Sequence, residues 1–401
     1  MDSSAMAESQ AHRTLKAAQR LVVKIGSSLL IRDSDQGGAL DEAWLMALAD
    51  DLARAHADGQ QIILVTSGAV SLGCAALGLD RANLSLAESQ AAAAIGQIDL
   101  LRGWQNALAA QGIKTAQILL TPEDTEQRRR YLNARQTINA LLAMGVVPVI
   151  NENDSVATQE LRYGDNDRLA ARVAAMSSAD CLLLLSDIDG LYTADPQADE
   201  TAEFLETIEH ITPQIENMAG GTGSSHGSGG MVTKLQAAQI AQRAGCHMVL
   251  ASGKCRNPIA ALRQGARASL FIATANPLTA RKNWIAGTLH PTGTLHLDDG
   301  AVTALRQGKS LLPVGVTALS GAFERGDCVV LCDADGAELG RGLCAYASGD
   351  AQLMIGKDTK GLAASPEVQA VWTGRAEIVH RDDMVLHDTD PAGAAKGEQD
   401  E

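Results

Sequence analysis

Short, continuously apolar runs alternate with helical patterns along the first two thirds of the chain. Leu21–Ile25 predicts a buried strand, and Trp44, Leu45, Leu48, Leu52 and Ala55 recur at helical spacing. Gln61–Thr66 is a second strand, followed by Ser67-Gly68 and a helix. Ile113–Leu119 predicts a third strand and Thr125–Met144 a helix. Val146–Ile150 and Asp180–Leu185 are further β-branched or Leu-rich runs, Met231–Ala244 is helical and His247–Ala251 is a strand. Strands that are apolar throughout, rather than on alternate residues, are covered on both faces. The pattern therefore predicts an α/β fold: a three-layer α/β/α sandwich around a mainly parallel sheet, running to about Phe271.

The character changes after Trp284. From Thr292 to Ala370 the segments are short and separated by glycine turns: Thr294–Leu297, Val314–Val316, Gly326–Leu331 and Arg341–Tyr346. This predicts a second, small, mostly-β domain at 292–370, after an α/β domain at 20–284. Residues 1–19 read as a flexible leader and 383–401 as an acidic flexible tail.

Composition narrows the function classes. Only 3% of residues are aromatic, so the core is built from Ala, Val, Leu and Ile. No apolar run approaches the ~18 residues of a membrane span, and the first residues lack the apolar stretch of a secretory signal. The formal charge of −15 argues against a general nucleic-acid binder, and residues 292–370 hold six Lys/Arg against ten Asp/Glu. A small anionic substrate stays compatible, because a few placed lysines dominate one cleft. The seven cysteines include no CxxC pair and read as scattered reduced thiols of a cytoplasmic protein.

Five segments carry candidate chemistry. In Val22-Val23-Lys24-Ile25-Gly26-Ser27-Ser28 a lysine stands where a buried strand meets a small-residue loop, which is the ligand edge of an open α/β sheet. The competing reading is an edge-strand lysine pointing to water. Val65-Thr66-Ser67-Gly68-Ala69-Val70 repeats the strand, turn and helix order, either as an anion site or as a simple helix cap. Ile150-Asn151-Glu152-Asn153-Asp154-Ser155-Val156 and Gly164-Asp165-Asn166-Asp167-Arg168 crowd carboxylates and carboxamides at a strand end and a helix start. Such groups hold an ammonium, a carboxylate or Mg²⁺-bound water, or serve only turns and caps. The acidic turn beginning Ser186-Asp187 follows another strand. Finally, the Gly/Ser loop 220–230 opens a helix with Lys234 in its first turn, a phosphate cradle if it is not a linker.

Two lysines, two glycine turns and an Asp/Asn cluster on one sheet edge, without a Ser-His-Asp or Cys-His set, point to phosphoryl transfer. A carboxylate acceptor needs no general base, since a carboxyl of pKa about 4.3 is already an anion at pH 7.

The ordered set VVKIGSS, VTSGAV, VPVINENDSVA, GDND, LLLLSD-x-x-GLYTADP and GGMVTK resembles the glutamate 5-kinases of the amino-acid kinase superfamily, from about residue 20 to about 382. The β-rich segment is similar to the PUA domain that many bacterial members carry. The resemblance implies ATP-dependent phosphorylation of the L-glutamate γ-carboxylate to L-glutamyl 5-phosphate, the first step of proline biosynthesis. It implies Lys24, Lys234 and Asp167 as the catalytic trio, with Asp167 orienting the two lysines. Ser67, Asp154 and Asn166 would hold glutamate. Lys24, Ser186, Asp187, Ser228, Gly229, Gly230, Met231, Val232, Thr233 and Lys234 would line the ATP site. Mg²⁺ would be carried mainly by the ATP phosphates, with no metal ligands from the protein. L-Proline as feedback inhibitor, a homo-oligomer and a glutamyl phosphate reductase partner follow from the same resemblance. The alternatives are another amino-acid kinase such as acetylglutamate kinase, an RNA-binding PUA protein, or an amino-acid sensor.

Overall fold

The computed structural model describes residues 9–32, 38–156, 166–219, 230–286, 291–371 and 376–387. The chain divides into two compact units between Pro277 and Leu278, ahead of the boundary expected at 284.

The first unit opens with α1 (Gln10–Ala17), β1 (Arg20–Ile25), the one-turn α2 (Ser27–Leu30), the short β2 (Ile31–Arg32) and β3 (Ala39–Leu40), and α3 (Glu42–Ala57). There follow β4 (Gln61–Val65), α4 (Ala69–Leu77), the long α5 (Leu86–Ala109), β5 (Thr115–Leu120), α6 (Pro122–Glu126), α7 (Arg128–Ala143) and β6 (Val147–Glu152). The remainder is α8 (Asn166–Ser177), β7 (Cys181–Ser186), β8 (Leu191–Tyr192), β9 (Phe204–Leu205), β10 (Thr207–Ile208), α9 (Pro213–Ala219), α10 (Met231–Arg243), β11 (His247–Ser252), α11 (Pro258–Arg263) and β12 (Ala268–Phe271). Helix α12 (Pro277–Ala286) straddles the division.

Eight strands form one sheet in the order β10-β12-β11-β7-β1-β4-β6-β5. Neighbours run parallel except β11 and β12, which are antiparallel. Side chains along a strand point to opposite faces in turn, so each apolar strand feeds two cores. Leu21, Val23 and Ile25 of β1 join the core under α1, α3 and α5, with Leu45, Leu48, Leu100 and Trp104. Val22 joins the opposite core, with Ile138 of α7, Leu169 and Val173 of α8, and Leu235 of α10. The same parity divides β7: Leu183 and Leu185 face one core, Leu182 and Leu184 the other. This is why the central strands read as unbroken apolar runs.

Two expectations need correction in this unit. Residues 10–17 are not part of a flexible leader but form α1. Ser9 caps the helix by accepting from the His12 backbone N–H at 3.2 Å, and Ala11 and Leu15 are buried in the sheet's core. The buried Gln60 amide donates to the Leu15 and Ala18 carbonyls and closes the other end of α1. The helix expected at Thr125–Met144 is two helices, because Gln127 takes an extended backbone (φ −74°, ψ 118°) between α6 and α7. The sheet is mainly parallel, as expected, with two short strands, β10 and β12, running against the rest. No described helix is long and apolar enough to cross a membrane.

The second unit contains β13 (Gly293–Leu297), α13 (Asp299–Arg306), β14 (Val316–Gly321), β15 (Cys328–Cys332) and β16 (Glu338–Cys344). Three short helices, α14 (Ser348–Met354), α15 (Thr359–Ala364) and α16 (Pro366–Val371), lead to β17 (Val379–Leu386). The five strands are ordered β14-β13-β15-β16-β17 over a core of Leu295, Leu297, Val329, Leu331, Tyr346 and Met384. The mostly-β expectation holds, but its limits move. Val314–Val316 is chiefly a single 3₁₀ turn leading into β14, and the fifth strand lies beyond residue 370. Residues 383–386 therefore complete a strand instead of starting a tail, because Met384 is buried in the core.

Candidate active site

Strand registers bring the sequence motifs to one level. Lys24 pairs with Val65, Val65 with Ile150, and Ile25 with Leu185. Gly26-Ser27, Thr66-Ser67, Asn151-Glu152 and Ser186-Asp187 thus lie side by side at the carboxyl ends of their strands.

Lys24 occupies an even position of β1, so its side chain emerges on the face covered by α8 and α10. Those helices begin with Asn166-Asp167 and with Met231-Val232-Thr233-Lys234. Asp167 is fully buried, and Lys24 and Lys234 are only 6% and 5% exposed. The Lys24 ammonium lies 2.5 Å from Asp167 Oδ1, and the Lys234 ammonium 3.3 Å from Oδ2. The Thr233 hydroxyl lies 3.4 Å from the same Oδ2 and 2.7 Å from the Gly230 carbonyl, which fixes the first turn of α10. Burial alone would raise the Asp167 carboxyl, but the charges and hydrogen bonds of Lys24 and Lys234 outweigh it and hold the group below the usual carboxylate range. Two ammoniums around one carboxylate leave the trio with a net positive charge, a field that favours a nearby anion.

A second polar array lies beside it. The Asn166 amide donates to Asn151 Oδ1 at 2.7 Å and to the Thr66 carbonyl. The Asn151 amide in turn donates to Gln97 Oε1 at 2.6 Å. The buried Trp104 indole donates to Thr66 Oγ1 at 3.0 Å. Helix α5 therefore props the ends of β4 and β6 with two side chains that the sequence reading did not single out. Its Ser85–Glu88 capping box was the available signal for the helix, but nothing in the chain's local pattern marks Gln97 or Trp104.

Ser67 precedes Gly68, whose left-handed backbone (φ 110°) turns the chain into α4. Helix α4 is set by close approach of α5: a Cβ on Gly96 would lie 2.0 Å from the Ala69 carbonyl oxygen. Asp154 follows β6 and lines a cavity of about 500 Å³ together with Gln97, Arg102, Gln117, Glu152 and Asn153. Ser67 and Asn166 do not line that cavity. Gln97 is the residue common to it and to the amide array.

At the other end, the Ser186 hydroxyl donates to Asp187 Oδ1 at 2.9 Å, and the Ser186 carbonyl accepts from the Gly253 backbone at 2.8 Å. Asp187 is exposed, Met231 half-buried and Val232 exposed at the start of α10. Ser228 and Gly229, expected at the phosphates, lie outside the described residues.

Residues 19–252 match the amino acid kinase family and residues 293–363 match the PUA domain. A glutamate 5-kinase of Paramagnetospirillum magneticum is 55% identical over 374 residues, covering 93% of this chain and 99% of its own. The chain belongs to the glutamate 5-kinase family. Other members of the family are similarly near. Those of Rhizobium etli and a Bradyrhizobium species are each 54% identical, over 376 and 382 residues, covering 94% and 98% of their own chains. The Lys24–Asp167–Lys234 trio and the amide array both lie within the part that matches the amino acid kinase family.

Proposed function

We infer that this chain transfers the terminal phosphoryl group of ATP to the γ-carboxylate of L-glutamate, giving L-glutamyl 5-phosphate and ADP, the first step of proline biosynthesis. The observation that carries the reading is the buried trio: two lysine ammoniums held by one shared carboxylate at the sheet's carboxyl edge. Both reactants are anions, so the barrier is dominated by charge repulsion and by alignment. Lys24 and Lys234 neutralise charge on the phosphoryl oxygens in flight. Asp167 takes no proton; it fixes where the two ammoniums stand. The acceptor carboxylate is ionised at neutral pH and attacks without a base.

Glutamate lies at the end bounded by Ser67, Asn166 and Asp154. Backbone N–H groups after Ser67 face one carboxylate and Asp154 the α-ammonium. The nucleotide lies over Ser186 and Asp187, with Gly230, Met231, Val232, Thr233 and Lys234 along its phosphates. Because Asp167 is committed to two lysines, Mg²⁺ would be carried by the nucleotide phosphates, where it would supply further neutralisation of their charge. L-Proline competing at the glutamate end, assembly of several copies, hand-off to a glutamyl phosphate reductase and a cytoplasmic location complete the reading.

The test is a hydroxylamine trap with Mg-ATP, comparing L-glutamate, N-acetylglutamate and L-aspartate. Hydroxamate forms from glutamate, and is lost in Lys24→Ala and Lys234→Ala. Hydroxamate mainly from another acid overturns the substrate; none from any acid overturns the reaction.

A further inference from the structure

Strand β12 carries two polar side chains on one face, Arg267 just before it and Ser269 within it. Both reach the β8–β9 hairpin, which begins four residues after Asp187. Ser269 is fully buried. Its hydroxyl accepts from the Leu191 backbone N–H at 2.8 Å and donates to the Leu205 carbonyl at 2.6 Å, so one group ties both strands of the hairpin to the sheet. Arg267 does the same from the outer side. Its guanidinium donates to the Tyr192 hydroxyl at 2.8 Å and stacks 4.9 Å from the centre of the Phe204 ring. The Tyr192 hydroxyl donates onward to the Asp189 carboxylate, 3.0 Å away at Oδ1. Tyr192 and Phe204 meet edge to face, with ring centres 5.5 Å apart. Between these ties the backbone is tight: a Cβ on Gly190 would lie 2.5 Å from the Phe204 ring and 2.6 Å from Ser269 Oγ.

The turn that carries Asp187 is consequently fixed at both ends. Its first end is Ser186, the last residue of β7, held in the sheet by Gly253. Its second end is Leu191, held by Ser269. Asp189, inside the turn, is held by the Tyr192 hydroxyl, itself bonded to Arg267, and by Arg267 directly, whose guanidinium lies 3.7 Å from Asp189 Oδ2. A turn pinned in this way presents Ser186 and Asp187 in one arrangement before the nucleotide arrives, and binding then orders nothing further there.

We propose that Ser269 and Arg267 are positioning residues for the nucleotide, acting through the 187–191 turn and not through glutamate or the phosphoryl-transfer step. This rests on the reading of Ser186 and Asp187 as nucleotide contacts.

The experiment is steady-state kinetics of the full chain, varying Mg-ATP and L-glutamate separately. The variants are Ser269→Ala, Ser269→Cys, Arg267→Ala and Tyr192→Phe, with Ser186→Ala and Asp187→Ala as controls and thermal melts to verify folding. Loss of one hydrogen bond corresponds to about a fivefold change. Ser269→Ala, Arg267→Ala and Tyr192→Phe should each raise KM for ATP by about that factor, with kcat and KM for glutamate within about twofold. Ser269→Cys keeps the shape but weakens the hydrogen bonds, and should behave as Ser269→Ala. Tyr192→Phe and Arg267→Ala alter partly exposed side chains and keep the test open if Ser269→Ala does not fold. A wild-type KM for ATP in these folded variants, with Ser186→Ala or Asp187→Ala still raising it, overturns the proposal and leaves the nucleotide reading standing. A Ser269→Cys enzyme indistinguishable from wild type overturns the hydrogen-bond role. If the two controls also leave KM for ATP unchanged, the nucleotide reading fails and the proposal with it.

Discussion

Asp167 receives Lys24 on one carboxylate oxygen at 2.5 Å and Lys234 on the other at 3.3 Å, so a single side chain spaces both cations. Asp167→Asn keeps the shape and removes the charge. We expect kcat to fall roughly 10²- to 10³-fold, as when a preorganised electrostatic contact is lost. The thermal midpoint falls too, because two buried ammoniums then face each other. Saturating ATP returns more of that midpoint in the variant than in the wild type, since the polyphosphate replaces the missing negative charge. Hydroxamate assays and melts with and without nucleotide check both parts.

Gly96 offers a structural route to the same site. Its missing Cβ lets α5 lie against Ala69, the first residue of α4. Gly96→Ala forces the helices apart against a backbone oxygen, which cannot swing away. Overpacking of this kind costs about 1–3 kcal/mol, more than alanine's better helix propensity returns. Urea denaturation should show the loss. KM for glutamate should rise more than KM for ATP, because the α4 start belongs to the end proposed to hold glutamate.

His247 sets an acid limit on stability. Burial lowers its pKa, partly opposed by the nearby Asp180 charge, and its Nδ1 accepts a hydrogen bond from the Ala273 backbone at 3.1 Å. With the folded value below the unfolded one, the unfolded chain binds more protons between the two. Stability is therefore fully present above about pH 6.5 and declines as pH falls through the folded value. Thermal midpoints between pH 8 and pH 5 should fall towards acid in the wild type. His247→Gln, which retains an acceptor but does not titrate, should flatten part of that slope.

Helix α1 contributes to the main core. Leu15→Ala removes a buried side chain beside Ala11 and should cost about 2–5 kcal/mol. Chemical denaturation measures it, and kcat at saturating substrates stays near wild type, because Leu15 packs in the core on the sheet face opposite the one from which Lys24 emerges.

What could be read from the chain was what physics writes locally. Leu182 to Leu185 announce a strand buried on both faces, and Lys24 and Asp154 stand out because charge is rare at a strand end beside small residues. Long-range selection was hidden. Gln97 and Trp104 look like any residues of a surface helix; only the crossing of α5 over the ends of β4 and β6 gives them partners. Leu15 sits among polar neighbours, and its helix becomes worthwhile only when the sheet offers a face to cover. The break at Gln127 and the reversed direction of β12 likewise depend on where the chain must return, which no local period encodes.

The division of β1 between two cores has a consequence for how this enzyme tolerates change. Substitutions at Leu21, Val22 or Val23 cost stability by degrees but leave every other side chain of the strand on its own face. Deleting any one of those residues exchanges the two faces of everything before or after the gap. If the strand stays anchored through Arg20, the ammonium of Lys24 is carried to the side of α3 and α5, away from Asp167. Loss of one codon here is thus a different class of event from loss of one side chain: Lys24 is kept in the gene and lost from its pairing with Asp167.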